Sequence, residues 1–289
     1  MVGLRPIHNA LSCGALIAPG MKLAPILARS FATTTPKFAQ KHVDMADIPI
    51  ANIGAMADFY VPPRIWSQPM KYWPVLLGRR FLVFASNTYS IVKYKQETGN
   101  RLDFNRWKDE GIEKFVKMNK VFAAACNQKV GNLAREKYLV KNLQHECGSQ
   151  TIARLLERVV TFPLDSTVKW DLVSIEKNPK IVSFNAIPDR NNVVVYVQFI
   201  MKLVTKQKMT ITTDDKEHVS EVTSTDYLVY TLNPHTKESV LVGKLFESNP
   251  VRKVSPDYAQ QANPVWLKRF TAETADIYRT DPRLESKDN

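Results

Sequence analysis

Residues 192–212 read NVVVYVQFIMKLVTKQKMTIT, and this stretch decides the fold class. Apolar side chains occupy every second position over its first half, and a period of two predicts a β-strand with one face towards a core. These apolar residues are Val193, Val195, Val197, Phe199, Met201 and Leu203. The opposite face is predicted to be basic at its far end. Its cations are Lys202, Lys206 and Lys208.

Shorter strand-like stretches lie on both sides of this segment. Further strands are predicted at residues 168–173, 181–184, 227–232 and 240–246. Pro179 separates the first two, and the sequence NPHT at 233–236 joins the last two in a hairpin-type connection. Residues 212–217 are predicted to form a turn.

Helical periodicity precedes the strands. Apolar residues recur at spacings of three and four over residues 112–125, 130–138 and 152–160, and Pro163 is predicted to end the third helix. Helices followed by a run of antiparallel strands indicate an α+β fold. We expect the helices to lie across the concave face of a curved sheet. A short helix interrupted by Pro264 is predicted over residues 258–274, and residues 280–289 are predicted to be a disordered tail.

The N-terminus has the composition of a mitochondrial presequence. The first acidic residue is Asp44, and the preceding residues carry Arg and Lys among apolar and hydroxyl side chains. Arg29 and Phe31 fit cleavage by the matrix peptidase after Phe31. Together with Thr34 they also fit a second cut after Phe38, and the two sites remain alternatives. We therefore expect residues 1–38 to be a presequence that directs the chain to the matrix.

The rest of the chain is basic. Removal of residues 1–38 takes four of the 40 Lys and Arg and none of the 28 Asp and Glu, which leaves a net charge of +8. Such a charge favours phosphate-rich partners, RNA or anionic lipid. No transmembrane helix is predicted, because Arg79 and Arg80 interrupt the most apolar window, residues 72–85.

Residues 60–101 concentrate this charge. They contain seven Lys and Arg against a single acid, Glu97, and aromatic residues are interleaved among them. Within the segment the candidate RNA- or membrane-binding residues are Arg64, Lys71, Arg79, Arg80, Lys93 and Lys95. Three interpretations stay open. The aromatics can stack on bases, the segment can lie at a membrane surface, or it can be a helix that covers the core and holds its cations in solvent.

Catalytic motifs are missing from the sequence. It has no glycine-rich phosphate loop, no HExxH and no CxxC, so we predict no catalytic residue, no metal and no cofactor. Residues 145–147 (HEC) are adjacent on a predicted helix end and should point in different directions. Asp171, Glu176 and Asp226 are the acids that an enzymatic pocket in the sheet would have to use.

Several motifs resemble one family. They are residues 243–250 (GKLFESNP), 256–258 (PDY), 276–279 (DIYR), 179–183 (PKIVS), Thr167 with Trp170 and Leu172, Ala57 and Asp58 with residues 60–62 (YVP), Pro74, Arg79 with Arg80, and Trp107 and Lys108 with Ile112 and Glu113. On these motifs the chain resembles the fungal inner-membrane mitoribosome receptors. That family is related to a protein of the animal mitochondrial large subunit and to the C-terminal domain of the import-motor scaffold subunit.

The resemblance implies a cystatin-like α+β domain, which we expect over residues 104–279. The composition predicts an extended basic and aromatic segment before it, at residues 39–103. It implies a peripheral protein on the matrix face of the inner membrane that binds ribosomal RNA and tunnel-exit proteins of the large ribosomal subunit. It also implies cooperation with the insertase of the oxidase-assembly family, beside an anionic lipid surface, during co-translational insertion. A stoichiometric subunit of the large ribosomal subunit and a small-ligand enzyme are the alternatives.

Overall fold

The sheet has four antiparallel strands in the order β1-β2-β3-β4. The structure is a computed structural model that describes residues 45–189, 191–213 and 216–281. The predicted presequence, with the candidate processing residues Arg29, Phe31, Thr34 and Phe38, and residues 282–289 of the predicted tail lie outside the described residues. The strands are β1 (Thr167–Pro188), β2 (Val194–Thr213), β3 (Lys216–Leu232) and β4 (Ser239–Leu245). The α+β prediction is confirmed, and the cystatin-like assignment is compatible with this arrangement but stays a prediction.

Two strands are longer than predicted. Residues 168–173 and 181–184 belong to the single strand β1, because Pro179 lies on an edge strand. Pro179 lies between the paired residues Lys177 and Lys180, where the strand register shifts. Its missing N–H therefore costs the sheet no hydrogen bond. β3 begins at Lys216 instead of residue 227. Its first half pairs with β2 but is mostly exposed, so its sequence lacks the apolar alternation that marks a half-buried strand.

The described residues contain six α-helices: α1 (Trp73–Thr98), α2 (Phe104–Cys126), α3 (Asn132–Leu143), α4 (Ser149–Val159), α5 (Tyr258–Gln261) and α6 (Pro264–Thr274). Part of the segment expected to be extended is thus the 26-residue helix α1. Gly99 ends α1 with φ 66°, and Asp103 caps α2 by accepting a hydrogen bond from the Arg106 backbone. Pro264 occupies the first turn of α6, which confirms the predicted interruption.

The main core lies between α2 and one face of the sheet. Trp107, Phe199 and Tyr230 stack in sequence, with ring centroids 6.1 and 5.3 Å apart. The Tyr230 hydroxyl donates to the Gly111 carbonyl oxygen at 2.7 Å, so the most buried phenol of the stack has its polar atom satisfied. Val197, Phe199, Met201 and Leu203 belong to this core, as the alternation predicted. The prediction was wrong at the start of the strand, because β2 begins at Val194, which is buried in the core, while Val193 is exposed and Val195 lies outside the cluster.

A second core covers the opposite face of the sheet. The sequence predicted a basic surface only at the far end of this face, and the near end is buried against residues 50–61 and α6. Gln198 is fully buried there. Its side chain accepts from the Met56 backbone at 3.0 Å and donates to the Gly54 carbonyl oxygen at 2.7 Å. This polar residue looked solvent-facing in the sequence because its partners are about 140 residues away.

Residues 58–61 are not a strand, contrary to the strand-like pattern of their sequence. Val61 exchanges two hydrogen bonds with Ser248, from its own N–H to the Ser248 hydroxyl at 3.0 Å and from the Ser248 N–H to its carbonyl at 2.9 Å. Val61 is fully buried. The apolar pattern therefore reflects burial against the second core, without a strand partner.

Arg135 of α3 joins the ends of α2 and α4. Its side chain is fully buried and donates five hydrogen bonds to backbone carbonyls at the C-terminal ends of these helices and in the residues that follow them. The acceptors belong to Cys126, Gln128, Val159, Phe162 and Pro163, at 2.7 to 3.2 Å. One cation thus satisfies two helix termini at once.

Candidate functional site

Helix α1 lies along the open edge of β1. The Asn87 side chain donates to the Val182 carbonyl oxygen at 3.2 Å and accepts from the Phe184 N–H at 2.9 Å. It therefore satisfies the outward-facing backbone groups of an edge strand, as a neighbouring strand would. The inner face of α1 buries Leu76, Val83 and Tyr94.

Three of the predicted cations hold α1 in this position. Arg79 donates to the carbonyl oxygens of Pro250 and of Val251, the latter at 2.8 Å, and Arg80 donates to that of Pro63 at 2.9 Å. Lys93 donates to the Asn192 side chain at 2.6 Å. Because these groups are already engaged, their first role is to position the helix.

Lys71 and Lys95 remain exposed at the two ends of α1. Between them, the side of the helix that faces away from the sheet is apolar, and we call it the outer face of α1. Its large side chains are 46 to 69% exposed: Val75, Leu77, Phe81, Leu82, Phe84, Tyr89 and Val92. Trp66 and Met70, just before the helix, are more exposed still, at 84 and 74%. A soluble domain seldom leaves so contiguous an apolar surface without a partner.

A second surface gathers positive charge on the far part of the sheet. We call it the basic face, and it consists of Arg64, Arg80, Lys177, Lys180 and Lys202. Lys180 is directly opposite Lys202 in the β1–β2 register, so two like charges share one face of the sheet. Among the described residues no carboxylate forms an ion pair with Lys177, Lys180 or Lys202.

The electrostatics of Lys202 reflect this crowding. Burial lowers the pKa of Lys202, and the nearby charges of Arg64, Lys177 and Arg80 lower it further. The carboxylate of Glu247 opposes this shift without reversing it. Its ammonium lies 5.2 Å from the centroid of the Tyr227 ring, which supplies partial compensation. Arg64 donates to the Thr225 hydroxyl at 3.1 Å and lies 3.8 Å from Glu247. The basic face thus carries more cations than its surroundings neutralise.

Lys206 and Lys208 lie farther out and have acidic neighbours. Lys206 pairs with Glu221 at 2.6 Å, and Lys208 is opposite both Asp171 and Glu221 in the strand registers. From the sequence these two lysines were grouped with Lys202, because all three occupy even-numbered positions that face the same side of the strand. In the folded chain they sit in a mixed-charge surface, so they add less to the net positive field.

The groups that an enzyme would need are engaged in structural contacts. Asp226 pairs with Lys244 at 2.7 Å, Asp171 lies 3.2 Å from Lys169, and Glu176 accepts from the Ser174 hydroxyl. Burial raises the pKa of the Cys147 thiol, in the HEC stretch, to about 12. Burial likewise raises the pKa of the Cys126 thiol, at the end of α2, to about 11. No group of His, Cys, Asp or Glu in the described ranges could hold a metal ion.

No helix within the described ranges is long and apolar enough to cross a bilayer. The predicted interruption of the apolar window by Arg79 and Arg80 lies within α1.

Comparison with known proteins places the chain in a family. The model of the MBA1-like proteins matches residues 39–283, which include both the outer face of α1 and the basic face. The chain belongs to the MBA1-like protein family. It is 26% identical over 266 residues to the inner membrane mitoribosome receptor MBA1, mitochondrial, of Saccharomyces cerevisiae. The match covers 89% of this chain and 88% of the yeast protein, and the resemblance inferred from the sequence motifs is confirmed.

Two features of the candidate site were missed from the sequence. Lys177 and Lys180 flank Pro179 and were assigned to a connection between strands, although the continuous strand β1 brings Lys180 opposite Lys202. The outer face of α1 had a usable signal, because residues 75–85 contain no acid and are apolar on every side of a helix except at Arg79 and Arg80. A helix that is apolar all round requires a second apolar environment.

Proposed function

We propose that this chain is a peripheral receptor on the matrix face of the mitochondrial inner membrane that tethers mitochondrial ribosomes near the tunnel exit. Its membership of the MBA1-like family and its likeness to a yeast mitoribosome receptor support this. The observation that carries the proposal is the basic face, where Lys177, Lys180 and Lys202 lie together without a carboxylate partner among the described residues.

The crowding of like charge indicates a polyanionic partner. Directly opposed lysines destabilise a sheet, and the burial of Lys202 adds to that cost. Contact with phosphates would reverse the sign of these interactions and release condensed counterions. Ribosomal RNA of the large subunit is the polyanion that fits a family named for a ribosome receptor.

Such a receptor works through effective concentration and requires no catalysis. A ribosome held beside the membrane delivers a hydrophobic nascent chain to the insertase over a short distance, so the chain has less opportunity to aggregate. We propose the insertase of the oxidase-assembly family and the anionic lipid surface as the partners on the membrane side. Neighbouring proteins at the tunnel exit complete the ribosomal contact.

Sedimentation with purified mitochondrial large subunits tests the ribosomal half of the proposal. The wild-type chain should bind, and its affinity should fall steeply between about 50 and about 200 mM salt. The double substitution Lys177→Glu and Lys180→Glu should weaken binding and reduce the slope of log affinity against log salt by about 2. The matched control is Lys137→Glu with Lys141→Glu, which makes the same charge change at exposed positions of α3.

Equal binding by the two double variants would exclude the basic face as the ribosomal contact. Absence of wild-type binding at low salt would remove the receptor proposal altogether. A high-salt wash of native particles distinguishes the remaining alternative, because a built-in ribosomal subunit stays on the particle and a receptor leaves it.

A further inference from the structure

The outer face of α1 is an apolar surface that the fold itself leaves uncovered. The opposite side of the helix is fixed against the sheet by Leu76, Val83 and the Asn87 contacts with β1. The helix cannot rotate to bury its outer face without breaking these contacts and those of Arg79 and Arg80. Only a partner from outside the described fold can therefore cover Phe81, Phe84 and their neighbours.

The shape of this surface fits a plane better than a groove. Residues 75–92 extend over about 27 Å of helix, and their exposed apolar side chains spread over roughly 180° of its circumference at about 100° per residue. A helix that docks in a protein groove presents a narrower stripe at spacings of three and four. An arc of half the circumference is the pattern of a helix that lies parallel to a membrane, at the boundary of acyl chains and headgroups.

The charges around the surface fit anionic headgroups. Lys71 and Lys95 are exposed at opposite ends of the outer face, and from residue 59 to residue 96 the sequence contains no acid. Trp66 before the helix and Tyr89 within the outer face are 84 and 68% exposed. Indole and phenol side chains prefer the headgroup level, and lysines beside them meet anionic lipid.

We infer that the outer face of α1 inserts into the interfacial layer of an anionic bilayer, with Lys71 and Lys95 at the headgroups. The outer face of α1 shares no residue with the basic face, which it adjoins at Arg80, so each surface can be tested by its own substitutions. The inference rests on the proposed membrane location of the receptor and is independent of ribosome binding.

Flotation with lipid vesicles tests this inference directly. Purified chain is mixed with phosphatidylcholine vesicles made with or without cardiolipin, and the bound fraction is measured across lipid concentrations. Phe81→Ser with Phe84→Ser should reduce partitioning about 30-fold or more, since each phenylalanine is about two-thirds exposed and available for insertion. The matched control is Val130→Ser with Leu133→Ser, which removes two exposed apolar residues elsewhere and should leave partitioning unchanged.

The charge contribution has its own variant. Lys71→Glu with Lys95→Glu should weaken binding to vesicles that contain cardiolipin and have little effect on neutral vesicles. Added salt should reproduce that loss, because surface charge interactions are screened.

A fluorescent probe reports insertion without relying on loss of binding. An environment-sensitive dye is attached in a Cys13→Ser background through Phe81→Cys, or through Leu133→Cys as control, since Cys126 and Cys147 are buried. The dye at 81 should shift to the blue and gain intensity on vesicles, and the dye at 133 should not. A polar signal at 81 on bound vesicles would overturn the inference.

A second result would also overturn it. If the Phe81 and Phe84 double variant floats with vesicles as the wild type does but loses a protein partner, then a protein covers the outer face. Failure of the membrane inference can be distinguished from failure of the ribosome-binding proposal, because the phenylalanine variant should still sediment with large ribosomal subunits.

Discussion

Substitution of Arg135 should be the most destabilising single change that leaves both proposed surfaces untouched. Its five hydrogen bonds end on carbonyls at the C-terminal ends of α2 and α4, and the side chain is fully buried. A hydrogen bond to a charged group contributes about 1.5 to 3 kcal/mol, but bonds to one guanidinium are not additive. Arg135→Met removes this donor from the carbonyls of Cys126, Gln128 and Phe162, and an unsatisfied buried acceptor costs about 1 to 3 kcal/mol. We therefore expect this substitution to lower the free energy of unfolding by about 4 kcal/mol.

Arg135→Lys separates charge from geometry. Lysine keeps a positive charge near the two negative helix ends but offers three donors from a single nitrogen instead of a planar fork. It should therefore cost about half as much as Arg135→Met, roughly 2 kcal/mol. Urea denaturation followed by circular dichroism measures both values. A loss below about 1 kcal/mol for Arg135→Met, or equal losses for the two variants, would refute this account.

Three further predictions concern charge and thiol chemistry. Lys202→Met removes a half-buried cation from among like charges, so it should raise the free energy of unfolding in urea by up to about 1 kcal/mol. The same substitution should weaken co-sedimentation of the chain with ribosomes. A loss of stability would contradict this prediction. Burial raises the pKa of Glu146, but hydrogen bonds from two lysines of α2 outweigh it and the net shift is downwards. The stability that Glu146 contributes is thus present above its unfolded pKa of about 4.3 and lost as the pH falls through its lower folded pKa. Glu146→Gln should cost about 1 kcal/mol at neutral pH, and the denaturation curves of variant and wild type should converge in acid. In a Cys13→Ser background, Cys126 and Cys147 should resist alkylation at about pH 8 until urea unfolds the chain, and fast labelling of the folded protein would show that the thiols are accessible.

The sequence was most informative where one face of an element is buried and the other is not. The alternation in residues 192–212 and the three-and-four spacing of α2 both come from that asymmetry, and both led to the α+β fold. Periodicity failed where both faces are covered or neither is. Gln198 lies in a strand with cores on both sides, and the first half of β3 has most of its side chains in solvent.

The candidate site depended on pairings that a charge count does not contain. The cations of residues 60–101 have equal formal charge, yet Arg79, Arg80 and Lys93 are bound to groups elsewhere in the chain. Lys180 gained its significance only from the register that sets it against Lys202. Such contacts join residues 17 to 172 positions apart, and no local pattern encodes them.

The bonds between Val61 and Ser248 have a consequence for the order in which the chain can fold. They connect positions 187 residues apart, and the buried neighbours of Val61 lie on β2, β3 and β4. A chain that is synthesised or threaded through a pore from its N-terminus releases residues 50–61 long before their docking surface exists. This apolar stretch must stay unattached, or be held by a chaperone, until Ser248 has emerged, and contacts of such sequence separation form slowly. The docking of this early-delivered segment therefore waits for one of the last parts of the chain to arrive.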